Sequence, residues 1–343
     1  MSPVAVLTPR ADSAHFLDLF EGRLKDCLAD LDSEVQTYAV KAALAGGKRI
    51  RPLLVYLFSG CNREVSDSVL NASVILELVH LATLIHDDIL DGAEIRRKLP
   101  SMHQEIGSHA ALLLGDALFG YALELASRFP TTKICSIVAE ATRKTCSGEI
   151  RQTFSRGRTN LSIEEYKGFI NDKTGELFKA SCEIGAYLSG ANDSFIRKAG
   201  EFGLSLGINY QIYDDLVDAF QTQERSDKTI GSDWSTGKLT LPMILLYQAA
   251  SASEITDLDD LLFCKDSQNA SDFTRFRLVG LVEKYEILPQ CIHYLDESFK
   301  RTKSMVDEIT DTDIRSQLNQ FLNNFTGKFA QVSSLKTSNF LAV

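Results

Sequence analysis

The 343-residue sequence lacks the features of a disulfide-stapled, membrane-spanning or secreted protein. Its seven cysteines form no C-x-x-C pair and are odd in number, which indicates reduced thiols. No apolar run reaches the roughly 18 uninterrupted residues of a membrane span, since Glu77 and His80 interrupt the stretch NASVILELVHLATLI. The N-terminal residues MSPVAVLTPRADS contain no basic region followed by an apolar core, as a secretory signal would. We therefore expect a cytoplasmic protein.

Positive charge and proline are also scarce. Lys and Arg number 36 against 46 Asp and Glu, which gives a net charge of −10. This balance argues against a general nucleic-acid binder, because such proteins need a surplus of cations to neutralise phosphates. Any phosphate site must therefore be local. With only seven prolines, long segments are free to form helices.

The spacing of apolar residues predicts an all-α fold. Apolar residues recur every three or four positions, as at Ile208, Ile212 and Leu216. Segments between turn signals are long enough for helices at 110–128, 133–156, 163–190 and 195–221, and we expect about ten or more helices in total. No repeat of 20 to 50 residues is present, so a regular solenoid is excluded.

A single domain over residues 13–343 is the simplest division of the chain. We interpret residues 1–12 as a disordered N-terminus. Residues 251–275 are acidic, serine-rich and weakly periodic, and we interpret them as a mobile insertion within the domain.

Two aspartate clusters are the most informative feature. The first, HLATLIHDDILD, places Asp87 and Asp91 one helical turn apart with Asp88 beside them. The second, NYQIYDDLVD, repeats this geometry with three further aspartates, Asp214, Asp215 and Asp218. Carboxylates one turn apart repel each other, and beside an apolar core they need a counter-charge. Solvated acidic helix ends are the alternative, but two copies after apolar runs favour Mg²⁺.

Cationic residues occur at fixed points around these clusters. GGKRIRP places Lys48 and Arg51 three positions apart, which suits the binding of one phosphate group. Arg96 and Arg97 directly follow the first cluster, where they can bind phosphate or neutralise the aspartates. Each of three later lysines would by itself be read as a surface residue: Lys173, Lys228 and Lys238. No Ser/His/Asp or Cys/His arrangement suggests a side-chain nucleophile.

The order of these motifs resembles the trans-isoprenyl diphosphate synthases, and most closely the polyprenyl branch. The resemblance rests on GGKRIRP, the first aspartate cluster with its arginine pair, LLLGDALF, GEIRQ, KTGELF, YQIYDDLVD and GSDWSTGKLTLP, in that order from about residue 40 to 245. It implies an all-α bundle around a deep central cavity, a homodimer, and the joining of isopentenyl diphosphate to an allylic diphosphate (dimethylallyl, geranyl, farnesyl or geranylgeranyl). About three Mg²⁺ ions per site would assist the reaction.

The resemblance also implies a role for each matching residue. Mg²⁺ would be held by Asp87, Asp91 and Asp214, with the remaining coordination from Asp88, Asp215 and Asp218. Isopentenyl diphosphate would be bound by Lys48, Arg51, His80 and Arg97. The allylic diphosphate would face Arg96, Lys173 and Lys228, and Lys238 is a further substrate-binding candidate. Thr174 and Gln211 would lie alongside the reacting carbons.

Helical spacing supports two of these assignments independently. Gln211, Asp214 and Asp218 share one helical face, and His80 shares another with Asp87 and Asp91. For His80, an internally hydrogen-bonded core histidine is the alternative.

Residues one or two turns before the first cluster should set product length. None of the four is aromatic: Leu78, Val79, Ala82 and Thr83. We therefore expect an open tunnel and a product of C20 or longer. Phe119 and Tyr121 are candidates for a deeper floor, or are ordinary core residues. Two departures from the family pattern, the residues after the arginine pair and Asn209-Tyr210, replace no charged residue. We expect them to leave catalysis intact and to affect product length and the shape of the loop.

Three other functions are compatible with parts of the sequence. A class I terpene cyclase would share the Asp-rich sites but would not need GGKRIRP and the arginine pair. A regulatory subunit of a heteromeric synthase would usually have degraded aspartate motifs, and both are intact here. A purely structural helical protein would leave the pairing of aspartates and cations unexplained.

Overall fold

Helices form nearly all of the regular structure in a computed structural model that describes residues 11–44, 46–60, 65–221, 236–263, 272–329, 332 and 334–340. The sheet in these residues is a short hairpin of β1 (Ile95–Arg96) and β2 (Leu99–Pro100), antiparallel with Ile95 opposite Pro100. The helices of the first half are α1 (Ala11–Ala29), α2 (Ser33–Leu44), α3 (Ile50–Phe58), α4 (Asp67–Leu90), α5 (Met102–Ile106), α6 (Ser108–Ser127) and α7 (Lys133–Phe154). Those of the second half are α8 (Ile163–Ile170), α9 (Glu176–Leu188), α10 (Asp193–Phe220), α11 (Leu241–Ala249), α12 (Ala252–Phe263), α13 (Asp272–Lys284), α14 (Ile287–Asp307) and α15 (Thr312–Phe329). A π-helical turn, Asn171–Gly175, joins α8 to α9, and a 3₁₀ turn spans Thr337–Asn339.

The helix boundaries follow local capping chemistry. Ser66 caps α4 by accepting a hydrogen bond from the backbone N–H of Val69. Ser162 and Glu165 form a reciprocal capping box at the start of α8. At the other end of α4, Gly92 adopts a φ of +61°, a left-handed conformation that glycine tolerates and that stops the helix. The first aspartate cluster therefore lies in the last turn of α4.

The centre of the bundle is formed by α4, which packs against α3, α6 and α9, and by α10, which packs against α9. Glycine also permits close packing of α9 against α3, since a Cβ atom at Gly185 of α9 would lie 2.4 Å from the carbonyl oxygen of Val55 in α3. Helices α4 and α6 are long and apolar enough to cross a membrane, a test that buried core helices also pass. In α4, 72% of the most apolar stretch is buried within the protein, and in α6 44%.

A buried ion-pair network ties the GGKRIRP segment to this core. Arg49 has a φ of 46° and donates hydrogen bonds to Glu77 of α4 at 2.6 Å and to Glu21 of α1 at 2.7 Å. It also donates to the carbonyl oxygen of Ala43 at 2.8 Å. These bonds hold a left-handed residue, which is unfavourable outside glycine, at the entry to α3.

The all-α prediction is confirmed, with two additions. The predicted helical segment 163–190 is divided by the π-helical turn. Within 251–275, α12 covers Ala252–Phe263 and α13 begins at Asp272, so much of the expected insertion is helical. Residues 264–271 lie outside the described residues, as do residues 1–10, and α1 begins at Ala11. The single-domain division stays a prediction.

Candidate active site

The first aspartate cluster ends a helix, where the backbone carbonyls already carry partial negative charge. Three cations neutralise it. Arg96 of the β-hairpin lies 2.5 Å from Asp88. Lys238 lies 2.5 Å from Asp91, and Arg156, just beyond α7, donates to the same carboxylate at 3.2 Å. In this structure Arg96 therefore neutralises a neighbouring aspartate, which is one of the two roles considered for it from the sequence.

Asp87 faces a different set of charges. Burial raises its pKa, the amine of Lys173 opposes that shift, and the carboxylates of Glu149 and Asp91 add to it. Lys173 itself contacts Glu149 and donates to the amide oxygen of Gln152 at 3.3 Å. Burial alone would lower the pKa of Lys173. The carboxylates of Asp87 and Glu149 have the larger, opposite effect and raise this pKa, so the lysine stays a cation. Glu149 belongs to the GEIRQ motif, but the sequence alone did not predict a role for it.

Lys173 and Thr174 lie in the π-helical turn, a feature often found at functional sites. Glycine allows two helices to approach this turn. A Cβ at Gly148 of α7 would lie 2.6 Å from the backbone nitrogen of Lys173, and one at Gly207 of α10 would lie 2.8 Å from the Cα of Gly175. The glycines of GEIRQ and KTGELF therefore have a packing role.

Thr174 connects the turn to the second cluster. Its hydroxyl donates to the side-chain oxygen of Gln211 at 2.7 Å. The amide nitrogen of Gln211 donates to one oxygen of Asp215 at 2.7 Å, and the phenol of Tyr166 in α8 donates to the other at 2.6 Å. Burial and the carboxylate of Asp215 raise the pKa of Tyr166 well above its ordinary value, so the phenol keeps its proton.

The two clusters thus meet at consecutive residues. Lys173 interacts electrostatically with Asp87 and Glu149. Thr174 donates a hydrogen bond to Gln211, which lies one helical turn before Asp214. Since adjacent Cα atoms are about 3.8 Å apart, the end of α4 and the middle of α10 face the same short turn. This is the juxtaposition that the paired motifs predict.

The GGKRIRP cations lie on the Asp214 side of the site. Lys48 donates to the phenol oxygen of Tyr210 at 3.1 Å. Burial lowers the pKa of Lys48, but Tyr210 and Asp214 raise it by more, so the net effect is an increase. Arg51 is buried over the ring of Phe178 at 4.7 Å, and its Nε has no hydrogen-bond partner among the residues that the structure describes. Burial lowers the pKa of Arg51 to about 10, against the opposing charge of Glu77.

Tyr210 borders the charged part of the site, because its phenol contacts the Lys48 amine. One helical turn of α10 carries both Tyr210 and Asp214, so any residue at 210 borders the phosphate-binding cations. A departure in this motif therefore reaches the charged part of the site.

His80 lies among arginines. Burial first, and then the charges of Arg51 and Arg97, lower its pKa well below the usual value, so the imidazole is neutral. Burial also lowers the pKa of Arg97, and Arg49 and Arg96 add to that effect. This concentration of positive charge around an uncharged histidine favours an anionic ligand.

The predicted chain-length residues lie in the middle of α4. Val79 and Ala82 are fully buried, and the hydroxyl of Thr83 donates to the carbonyl oxygen of His80. Phe119 packs against His86 of α4, with ring centroids 5.6 Å apart. The phenol of Tyr121 donates to the carbonyl oxygen of Cys27 in α1, so Tyr121 is a core residue. A tunnel past these positions stays a prediction.

A cleft lies beside the second half of α4. Its apolar lining includes Leu81, Leu84 and Ile85 of that helix together with Met102, and it borders Asp88, Arg96 and Arg97. None of the four predicted chain-length residues lines it.

The donor chemistry of both clusters fits a hard divalent cation. The candidate ligands are carboxylate oxygens, which Mg²⁺ prefers. The raised pKa of Asp87 indicates that its ionised form needs more positive charge than the nearby lysines provide. Among the described residues, no group of three or more His, Cys, Asp or Glu side chains converges as a ready-made metal site. Mg²⁺ usually takes one or two carboxylates and completes its shell with water and phosphate, so such a group is not required.

One predicted site residue, Lys228, lies outside the described residues. The sequence did not predict a role for several residues that hold the site together: Arg49, Glu77, Glu149, Gln152, Arg156, Tyr166 and Tyr210. Most of them lie within a motif or near one, whereas Tyr166 carries no such signal.

Comparison with known proteins agrees with this geometry. The polyprenyl synthetase family model matches residues 33–279. Heptaprenyl diphosphate synthase component 2 of Geobacillus stearothermophilus is 34% identical over 259 residues, which cover 74% of this chain and 80% of that relative. Geranylgeranyl diphosphate synthase of Methanosarcina mazei is 36% identical over 209 residues, covering 60% and 64%.

A similar fold is found among solved structures. The crystal structure of a polyprenyl synthase from Caulobacter crescentus, complexed with calcium and isoprenyl diphosphate, superimposes with a TM-score of 0.82. The two sequences are 26% identical, and the match covers 92% of this chain and 95% of that one.

The close approach at Gly148 gives a testable consequence for the site. Gly148→Ala should lower the free energy of unfolding by about 1–3 kcal/mol, because the new methyl group overlaps the backbone of the π-helical turn. Gly22→Ala in α1, where a Cβ meets nothing within 4 Å, should raise it by about 0.5–1 kcal/mol. Urea denaturation of both variants measures the difference, and equal stabilisation by both would contradict the packing role of Gly148.

Proposed function

Because the chain belongs to the polyprenyl synthetase family of prenyl-transferring enzymes, we propose that it joins isopentenyl diphosphate to an allylic diphosphate and forms a trans-polyprenyl diphosphate of C20 or longer. The observation that carries this proposal is the meeting of both aspartate clusters at Lys173 and Thr174. The arginines and Lys48 supply a second anion site, which a reaction between two diphosphates requires.

Mg²⁺ would be held by carboxylates of the two clusters, with Asp87, Asp91 and Asp214 as the principal ligands. When bound, it would stabilise the negative charge of the leaving diphosphate. The Caulobacter crescentus polyprenyl synthase was crystallised as a complex with a divalent ion, calcium, and isoprenyl diphosphate. The number of Mg²⁺ ions, about three, stays a prediction.

The chain's own cations would bind and orient the two substrates. Lys173 and Arg96 lie beside the first cluster, where the allylic diphosphate would be bound. Arg51 is already desolvated with its Nε unpaired, so an incoming phosphate oxygen would satisfy a buried donor instead of displacing an existing bond. His80 is neutral and can donate one N–H to the isopentenyl diphosphate without adding charge.

Ionisation of the allylic substrate leaves a carbocation that water would capture. Thr174 is 7% exposed, and its oxygen and that of Gln211 present lone pairs that can stabilise a cation by their dipoles. The double bond of isopentenyl diphosphate would then attack the cation, and a proton would pass to the departing diphosphate. No side-chain nucleophile takes part.

The test is incubation of the purified chain alone with labelled isopentenyl diphosphate, Mg²⁺ and each of four allylic diphosphates. Label should enter an extractable prenyl product, and Asp87→Asn should abolish this incorporation. Release of pyrophosphate from the allylic substrate without consumption of isopentenyl diphosphate would instead indicate a terpene cyclase.

A second candidate is a component of a two-polypeptide synthase, because the Geobacillus stearothermophilus relative is named component 2 of such an enzyme. In that case the chain alone would be inactive in the same assay. Incorporation by the isolated chain would exclude this candidate.

A homodimer is supported by apolar side chains that are exposed on α6 and α7. Leu112, Leu113 and Leu123 of α6 are 47%, 66% and 40% exposed, and Ile150 and Phe154 of α7 are 53% and 82% exposed. The two helices pack together through a short connection, so the start of α6 lies near the end of α7. Exposed apolar side chains on two neighbouring helices are typical of a subunit interface.

Sedimentation equilibrium should give twice the chain mass of 38.0 kDa. A charge within the proposed interface is costly to bury, so Leu113→Glu combined with Phe154→Glu should give a monomer. Phe276→Glu, at a site 77% exposed on α13, is the control and should stay dimeric. A dimer that survives the double substitution would place the interface elsewhere.

Product length tests the role of α4. Ala82→Phe should shorten the product, because a ring at this fully buried position would block a chain growing beneath the first cluster. Chromatography of the dephosphorylated products measures the change. Leu81→Phe, which faces the cleft, is the control and should leave product length unaltered. Unchanged products from Ala82→Phe would show that the growing chain takes another route.

A further inference from the structure

We propose that an aromatic platform, made by the rings of Phe178 and Tyr210, positions two cations for the binding of isopentenyl diphosphate. The cations are Lys48 and Arg51, and Phe325 of α15 supports the platform. This inference rests on the proposed function, because it concerns the second of the two diphosphate sites. It gives α15, which contains none of the sequence motifs, a role in substrate affinity.

Each of the two cations lies against an aromatic ring. The guanidinium carbon of Arg51 is 4.7 Å from the ring centroid of Phe178 in α9, and the amine nitrogen of Lys48 is 5.1 Å from that of Tyr210 in α10. Lys48 also donates to the phenol oxygen of Tyr210 at 3.1 Å. The two rings are neighbours, with centroids 5.7 Å apart. Because the face of an aromatic ring attracts a cation, one shared surface holds both side chains.

The cations near the first aspartate cluster are held in a different way, by ion pairs such as that of Lys173 with Glu149. Among the residues that the structure describes, no carboxylate forms an ion pair with Lys48 or Arg51. A carboxylate could also hold these two side chains, but it would repel an incoming diphosphate. A ring carries no net charge, so the full positive charge stays available to the ligand.

Arg51 depends on its ring more than Lys48 does. It is 9% exposed, and its Nε has no hydrogen-bond partner within the described part of the chain. Glu77 of α4, which already accepts a hydrogen bond from Arg49 at 2.6 Å, also attracts Arg51 electrostatically. Without the ring, Arg51 would be drawn toward Glu77. The diphosphate would then have to bring it back on binding, which costs affinity.

Close packing fixes the platform itself. A Cβ atom at Gly207 of α10 would lie 3.1 Å from the Cγ atom of Phe178, so glycine lets α10 approach that ring closely. Tyr210 packs against Phe325 of α15, with ring centroids 5.8 Å apart, and Phe325 is only 2% exposed. Helix α15 also packs against α3, so it contacts both the ring and the helix that carries the guanidinium.

Ring fluorination at position 178 is the most direct test, since fluorine draws electron density from the ring face and leaves the size of the ring nearly unchanged. The full chain with none, one, two or three ring fluorines on Phe178 is titrated with inorganic pyrophosphate by calorimetry, with EDTA present so that no metal contributes. The Kd should rise with each fluorine, by about 10-fold over the series. A Kd that does not depend on fluorination would overturn the proposal.

The same fluorination at Phe202 is the matched control. Phe202 is 1% exposed in α10 and packs against Phe58 at 5.6 Å, and no cation of the described residues lies over its ring. Its fluorination should leave the Kd for pyrophosphate within about 2-fold. An equal rise at positions 178 and 202 would show a general packing effect and would overturn the proposal.

Prenyl transfer by the whole enzyme gives a second readout. Phe178→Leu should raise KM for isopentenyl diphosphate about 10-fold, because only the second diphosphate site loses its platform. KM for the allylic diphosphate and kcat should stay within about 2-fold, and Phe202→Leu should change none of the three constants by more than this. A loss that is equal for both substrates, or confined to kcat, would contradict the positioning role of Phe178.

A double-mutant cycle tests the part played by α15. Phe325→Leu should raise the Kd for pyrophosphate about 3-fold, because Tyr210 loses the ring that supports it. In a Tyr210→Leu background the same substitution should change Kd by less than about 1.5-fold. Equal losses in both backgrounds would overturn the proposed role of α15.

Binding and turnover together separate this proposal from the proposed function. A chain that binds pyrophosphate with the expected losses but consumes no isopentenyl diphosphate would contradict the proposed function and support the platform. A chain that consumes isopentenyl diphosphate but shows no effect of fluorination would contradict the platform alone. Failure of the unsubstituted chain to bind pyrophosphate would also overturn the platform.

Discussion

The structure depends on the neutralisation of carboxylates that are concentrated at one place in an apolar bundle. Asp87, Asp88 and Asp91 lie at the negative end of α4, and the nearby Glu149 adds a fourth charge. At the low effective dielectric of such a site, charges a few ångströms apart interact strongly, so an unpaired carboxylate would be costly. The cations of the hairpin, the π-helical turn and the segment before α11 are held where this charge requires them.

The same constraint explains why distant motifs form one unit. The glycine of GEIRQ brings α7 against the π-helical turn, and the glycine of KTGELF brings that turn against α10. Lys173 can then face one cluster while Thr174 faces the other. In the proposed reaction this arrangement would place the cations that hold diphosphate beside the dipoles that stabilise a carbocation, with little water between them.

Much of the fold and part of the site could be predicted from the sequence. Helical periodicity and turn signals are local, and they predicted the helices that carry both clusters. The spacing of Asp87 and Asp91 predicted a shared face for the same reason. The π-helical turn was not predicted, because it depends on the close packing of α7 and α10 around it. Nor was the contact of Tyr210 with Lys48, which joins residues far apart in sequence.

The sequence by itself determined which residue types are available and which of them share a helical face, since these properties need only the period of the helix. Tertiary structure decided which charge neutralises which: Arg96 pairs with Asp88, while Lys238 reaches Asp91 from 147 residues away. It also decided that a tyrosine of α8 would donate to an aspartate of α10. Such choices depend on how helices pack, and packing is settled by shape and burial across the whole bundle.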